Sequence, residues 1–178
     1  LIGGLINETE NADQALARVH KEKATITPVY NEQLYTFSAV NRDKRNRVVS
    51  VAYMAFVRPT NAEWYKHDTA HFVPVRELKK LGYDHDDILR TAIARLKGKL
   101  TYTSIAQFLL PTQFTLTELQ NVYEIVLDRE MDKRNFRKKI LALDIVRDIG
   151  RMQEGVQNRP AALYEFISPK LTELPILA

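Results

Sequence analysis

The chain of 178 residues contains no cysteine, which excludes a disulfide framework, a thiolate zinc site and a thiol nucleophile. It contains no apolar run approaching about 18 residues, so no segment reads as a membrane span. A signal peptide, an internal repeat and a low-complexity tract are all missing. These absences fit a cytoplasmic protein that does not engage membranes. The chain begins at Leu1 without a start methionine, so an N-terminal segment is expected to precede it. What is present is ordinary for a globular protein: 45% hydrophobic and 27% charged residues. The net charge of +4 and a pI near 9.2 lean towards an anionic partner.

Against that modest charge, one stretch stands out. Phe114 to Ile140 reads as two helices with a short break. The second carries five cations, Lys133, Arg134, Arg137, Lys138 and Lys139, against one acid, Asp132. Thr115 and Glu118 fit a capping box at the start of the first helix, and Phe114 and Leu119 fit a hydrophobic staple. Leu119, Val122, Tyr123 and Val126 continue a helical stripe. Asp132 is a good N-cap for the second helix, with Met131 and Phe136 as its staple. On that helix Phe136, Ile140 and Leu143 fall within about 60° of one another. Arg134 and Lys138 lie opposite, flanked by Asn135 and Arg137. Cations of this kind neutralise phosphates, and Arg or Asn can fork onto base edges. Ile145–Met152 and Ala161–Ile167 pair as a hairpin across QEGVQNRP, with Arg151 and Arg159 near its tip. Helix, helix, hairpin is the order of a winged helix-turn-helix. A single basic helix is more often just a solvated face, but the caps and the hairpin favour DNA.

The front half reads differently. Asp13–Lys23 is an amphipathic helix with Ala15, Leu16 and Val19 on one side. Gln33–Val40 and Arg47–Val57 are strands around a charged loop, Asn41–Asn46. Both faces of the second strand are largely apolar, as in an α/β core. Ala70–Val75 is a third strand candidate. Arg76–Leu81 is a brief helix ended at Gly82. Asp84–Lys97 is a helix with Ile88, Leu89, Ala92, Ile93 and Leu96 on its buried stripe, closed by Gly98, and Ser104–Leu110 is a short one stopped by Pro111. The domain boundary is expected near residue 83, with the 84–110 helices joining residues 1–83 to the C-terminal half.

Five residues separate Gly4 from Glu10, and seven more lead to Arg18. This spacing resembles the Nudix box, with Gly4, Glu10, Arg18, Glu22 and Ile26 matching. Val19 stands where the box has its first helix glutamate. Lys23 replaces its last glutamate, His20 an aliphatic residue and Thr25 the glycine. The glutamates of that box hold divalent cations that activate water, and positions 19, 22 and 23 share a helix face. One carboxylate, a valine and a lysine there predict a retained fold and a lost hydrolase.

Together the box and the segments QLYTFSAVNRDKRNRVVSVAYMAFV, LGYDHDDIL, LLPTQFTLTELQNVYEIVLDREMDKRNFRKKIL and NRPAALYEF resemble the Nudix-related transcriptional regulators, the NrtR family. The resemblance covers nearly all of residues 3–167. It implies an incomplete Nudix-like α/β/α sandwich followed by a winged helix-turn-helix domain. It also implies a homodimeric repressor that binds double-stranded operator DNA, controls NAD-metabolism or sugar-use genes, and is released by a nucleotide effector such as ADP-ribose. No cofactor and no resident metal are expected. On this resemblance Lys133, Arg134, Asn135, Arg137 and Lys138 face DNA, with Arg159 in the wing. Thr115 and Thr117 open the preceding helix, where backbone N–H groups often meet phosphate.

For the effector, Arg42 and Arg45 could clamp a diphosphate, and Tyr35 and Phe37 could flank an adenine or ribose. Strand aromatics are more often core. Arg18, also a candidate, could instead hold its loop through a salt bridge to Glu10 or Glu22. His67, Asp68 and His71 suit no standard zinc spacing. Asp84, His85, Asp86 and Asp87 read as a helix start rather than as catalysts. Ser38 and Ser50 have no evident base. The competing readings are an active Nudix pyrophosphatase acting on ADP-ribose or a related nucleoside diphosphate, and a nucleotide sensor that works through protein contacts alone.

Overall fold

The computed structural model describes residues 1–24, 27–58, 72–155 and 160–175. Thr25, Ile26, His67, Asp68, His71 and Arg159 lie outside the described residues, as does the tip of the C-terminal hairpin. The chain divides into two compact units, Leu1–Ala92 and Ile93–Ala178.

The first unit begins with a loop and helix α1 (Ala12–Ala24), which buries Ala15, Val19, His20 and Ala24. Leu16 is only half-buried. Strands β1 (Tyr30–Phe37) and β2 (Ser50–Phe56) form an antiparallel hairpin. Leu34 is the extra residue where the register shifts between Gln33 and Tyr35, and it is buried while Tyr35 faces solvent. Bulges re-aim side chains in this way. On β2 only Met54 and Phe56 are fully buried, so among the described residues it is a hairpin strand with one well-covered face. No strand forms over 72–75, and the brief helix expected over 76–81 is a 3₁₀ turn, Val75–Glu77. Pro74 precedes that turn, and Leu78 is already extended.

Helix α2 (His85–Tyr102) does not stop at Gly98. Leu100, beyond the glycine, is completely buried. The chain after the helix is pinned by bonds from Ser104 N to Thr172 O at 2.9 Å and from Leu174 N to Tyr102 O at 2.7 Å. That packing outweighs the roughly 1 kcal/mol by which an interior glycine disfavours a helix. A 3₁₀ turn, Ile105–Phe108, stands where a short helix was expected.

The second unit continues with β3 (Phe114–Thr115), α3 (Leu116–Leu127), α4 (Lys133–Ala142), β4 (Val146–Met152) and β5 (Ala162–Phe166). The three strands form one antiparallel sheet in the order β3-β5-β4. Phe114, Leu119, Tyr123, Phe136, Ile140 and Val146 form its core. Ring contacts join Phe114 to Phe166 at 5.2 Å and Tyr123 to Phe136 at 5.3 Å. Among the described residues, no helix is long and apolar enough to cross a membrane.

Candidate functional site

The two helices before the wing are set by their caps. Thr115 accepts from Glu118 N at 3.1 Å, and Glu118 accepts from Thr115 N at 2.7 Å, a complete capping box. Thr115 is therefore buried and its hydroxyl engaged with Glu118, whereas Thr117 is exposed. Of the two threonines only Thr117 can meet a ligand by its side chain. Asp132 caps α4 by accepting from Asn135 N at 2.8 Å.

Phe136 and Ile140 turn α4 towards the core. Lys133, Arg134, Asn135, Lys138 and Lys139 are exposed on its remaining surface. Arg137 lies between these sets. Its Nη2 is 3.4 Å from Thr117 Oγ1, while its Nε is buried without a hydrogen-bond partner. Thr117 and Arg137, twenty residues apart, thus form one corner shared by the two helices. On the wing, Arg147 pairs with Glu165 and Arg151 is exposed.

The first unit holds a second candidate, an open cleft of about 880 Å³. Its walls include Tyr35, Phe37, Lys44, Arg45, Lys80 and Tyr83. Tyr35 is 58% exposed and meets Phe37 edge-to-face at 5.2 Å, so it is not a core aromatic. Arg45 is exposed, lies over the Tyr83 ring at 5.3 Å, and is bonded to Asp43. The Arg45 guanidinium holds the Asp43 carboxyl down at about 2. Arg42 differs from the sequence expectation. Its guanidinium makes two 2.8 Å bonds to Asp84, and that pair is largely buried. Arg42 is occupied by an internal partner, and Asp84 is an arginine ligand as well as a helix-start acid. The sequence reading missed Tyr83. Its only local signal is the Gly82-Tyr83-Asp84 break before α2, where Tyr83 takes a left-handed φ of 56°.

The box around α1 is an internally bonded structure. Arg18 bonds Glu10 at 2.6 Å and Glu22 at 3.2 Å, and donates to Leu5 O at 2.8 Å. Arg18 thus holds the loop, the structural alternative considered for it. Val19 is buried, and a Cβ on Gly4 would stand only 2.6 Å from Val19 Cγ2. Lys23 Nζ donates to Gly3 O at 2.5 Å. A divalent cation needs several oxygen ligands, and a face of valine, lysine and arginine-bound carboxylates does not fit one. Among the described residues, no cluster of three or more metal-ligating side chains exists.

Residues 106–166 match the family model described as the NrtR DNA-binding winged helix domain. The chain is 34% identical, over 93% of its length and 68% of the relative's, to the "ADPR responsive transcriptional repressor NtrR" of Acinetobacter baylyi. It is 29% identical to an ADP-ribose pyrophosphatase of Methanocaldococcus jannaschii, over 51% of this chain and 54% of that one. A crystal structure of Shewanella oneidensis NrtR complexed with a 27mer DNA superposes with a TM-score of 0.82 at 31% identity, covering 93% of this chain and 78% of that one. A MutT/nudix family protein from Enterococcus faecalis shares the fold, with a TM-score of 0.70 at 22% identity over 94% of this chain and 74% of that one.

Proposed function

The chain belongs to the NrtR family of Nudix-related transcriptional regulators, and on that premise we propose that it is a DNA-binding repressor released from its operator by ADP-ribose. The observation that carries the DNA part is α4. Its exposed surface presents Lys133, Arg134, Asn135, Lys138 and Lys139 inside the segment matched by the family's DNA-binding domain. In this reading Arg134 and Asn135 reach base edges in the major groove. Lys133, Lys138, Thr117 and Arg137 meet phosphates. Two subunits place their α4 helices one helical turn apart on a pseudo-palindromic site.

The second unit, on this reading, grips DNA, and the first senses the effector. A ligand with a base, a ribose and a diphosphate suits a cleft of three rings and four cations. Two of those cations, Arg42 and Arg45, are paired with Asp84 and Asp43, acids of the same lining, which also holds Asp87. Arg45 is the more accessible clamp for the diphosphate, being exposed, and it engages by exchanging Asp43 for phosphate. Arg42 would have to give up a largely buried pair with Asp84 to join it. Release requires that the ligand favour a conformation with lower DNA affinity.

The pyrophosphatase reading rests on likeness to the Methanocaldococcus jannaschii enzyme, and no observation of this chain favours it. Val19 and Lys23 occupy carboxylate positions of the box, and Glu10 and Glu22 are both bonded to Arg18.

Two variants test the assignment by gel shift. Arg134→Ala is expected to weaken operator binding by roughly 1–3 kcal/mol while leaving scrambled DNA less affected. Equal loss on both sequences would reduce Arg134 to a phosphate contact. Arg45→Ala is expected to bind operator normally and to ignore ADP-ribose; a full response would place the effector elsewhere.

A further inference from the structure

The turn from α3 to α4 is short, and its path is not left to the backbone. Asp128 ends α3 in a left-handed conformation with φ 56°, and Arg129 N bonds back to Glu124 O at 3.2 Å. Two side chains of α3 then hold Met131 by both of its backbone polar groups. Gln120 Nε2 donates to Met131 O at 2.9 Å, and Met131 N donates to Glu124 Oε1 at 2.8 Å. The two side chains also bond each other, Gln120 Nε2 to Glu124 Oε1, at 2.9 Å. Met131 immediately precedes Asp132, the residue that caps α4. The clasp therefore fixes the point from which α4 departs. Beyond it, α4 is fastened by the buried Phe136 and Ile140, whose apolar contacts are non-directional, and by the longer Arg137–Thr117 contact at 3.4 Å.

We propose that Gln120 and Glu124 are positioning residues for DNA recognition, setting the direction in which α4 enters the groove. Neither belongs to the exposed cationic surface. Gln120 is buried, and Glu124 is half-buried with its carboxylate turned to Met131 N. They act through α4 rather than by touching DNA. The sign of the electrostatics separates this role from a charge effect. Removing a carboxylate near a phosphate-binding helix should by itself tighten binding to any DNA. Loss of the clasp should instead weaken binding to the correct sequence alone, because base contacts need alignment that phosphate contacts tolerate losing.

This inference rests on the DNA-binding reading, and the experiment keeps the two apart. The full chain first selects its preferred duplex from a random-sequence library. Dissociation constants are then measured on that duplex and on a scrambled one for Glu124→Leu, Gln120→Met and Glu124→Gln, with circular dichroism confirming the fold. Glu124→Leu and Gln120→Met are expected to lose about tenfold on the selected duplex, the size of one mismatched base pair. Their affinity for scrambled DNA should hold or tighten. Glu124→Gln keeps an oxygen for Met131 N and should recover most of the loss. If Glu124→Leu fails to fold, Gln120→Met and Glu124→Gln carry the comparison. Full specific affinity in folded Gln120→Met, or equal loss on both duplexes, would overturn the positioning role. A wild-type chain that selects no sequence would overturn the DNA-binding reading and this inference with it.

Discussion

Arg18 holds the Glu10 carboxyl at about 2, well below its ordinary 4.5, chiefly through their hydrogen bond and then through Asn7 N. A depressed carboxylate pKa contributes stability that is complete above 4.5 and is lost as pH falls towards 2. Thermal melts of the wild type should therefore decline across that window. Arg18→Met should start lower at neutral pH and decline less steeply. Parallel curves for the two proteins would show that the pair does not govern the acid response. The same residues show what was legible in the sequence at this scale. The Glu10, Arg18 and Glu22 trio was readable because box spacing and an i,i+4 relation are local. The Arg42–Asp84 pair was not, because its partners are 42 residues apart and only the fold joins them. Tyr35 is a candidate for the effector in the sequence, but its alternation alone does not separate that from a core role; the hairpin register and its bulge turn it to solvent.

At the scale of elements, helix starts were the most legible features. Thr115 with Glu118, and Asp132 with the following cations, are short-range capping patterns that the backbone bonds reproduce. Helix ends were less so, because tertiary packing competes with them. Gly98 looked like a stop, yet α2 continues to Tyr102 because Leu100 is buried beyond it. A side chain at Gly98 would meet no heavy atom within 4 Å. Gly98→Ala is therefore expected to stabilise the protein by about 0.5–1 kcal/mol in urea titrations. Destabilisation instead would mean that the glycine serves a bend or a close approach absent from this structure. The α3–α4 turn was legible as a break but not as a clasp. Nothing in the order of Gln120, Glu124 and Met131 reveals that all three meet.

At the scale of the whole molecule, the mixed α/β fold ending in a winged helix was legible because each part carries its own pattern: a degenerate box in front, then capped helices and a hairpin. The structure resolves two compact units, Leu1–Ala92 and Ile93–Ala178. Their proposed division of labour, sensing in the first and DNA binding in the second, is what gives a repressor its switch. The coupling must be reciprocal: if ADP-ribose weakens DNA affinity by some factor, DNA weakens ADP-ribose affinity by the same one. The measurement that tests this most directly is fluorescence anisotropy of the full chain on its selected operator, titrated with and without ADP-ribose at two salt concentrations. The account predicts tight, sequence-selective binding that ADP-ribose weakens at both salts, while scrambled DNA is bound more weakly at each salt and without response to ADP-ribose. Sequence-blind binding that depends only on salt, or selective binding that ADP-ribose leaves unchanged, would contradict it.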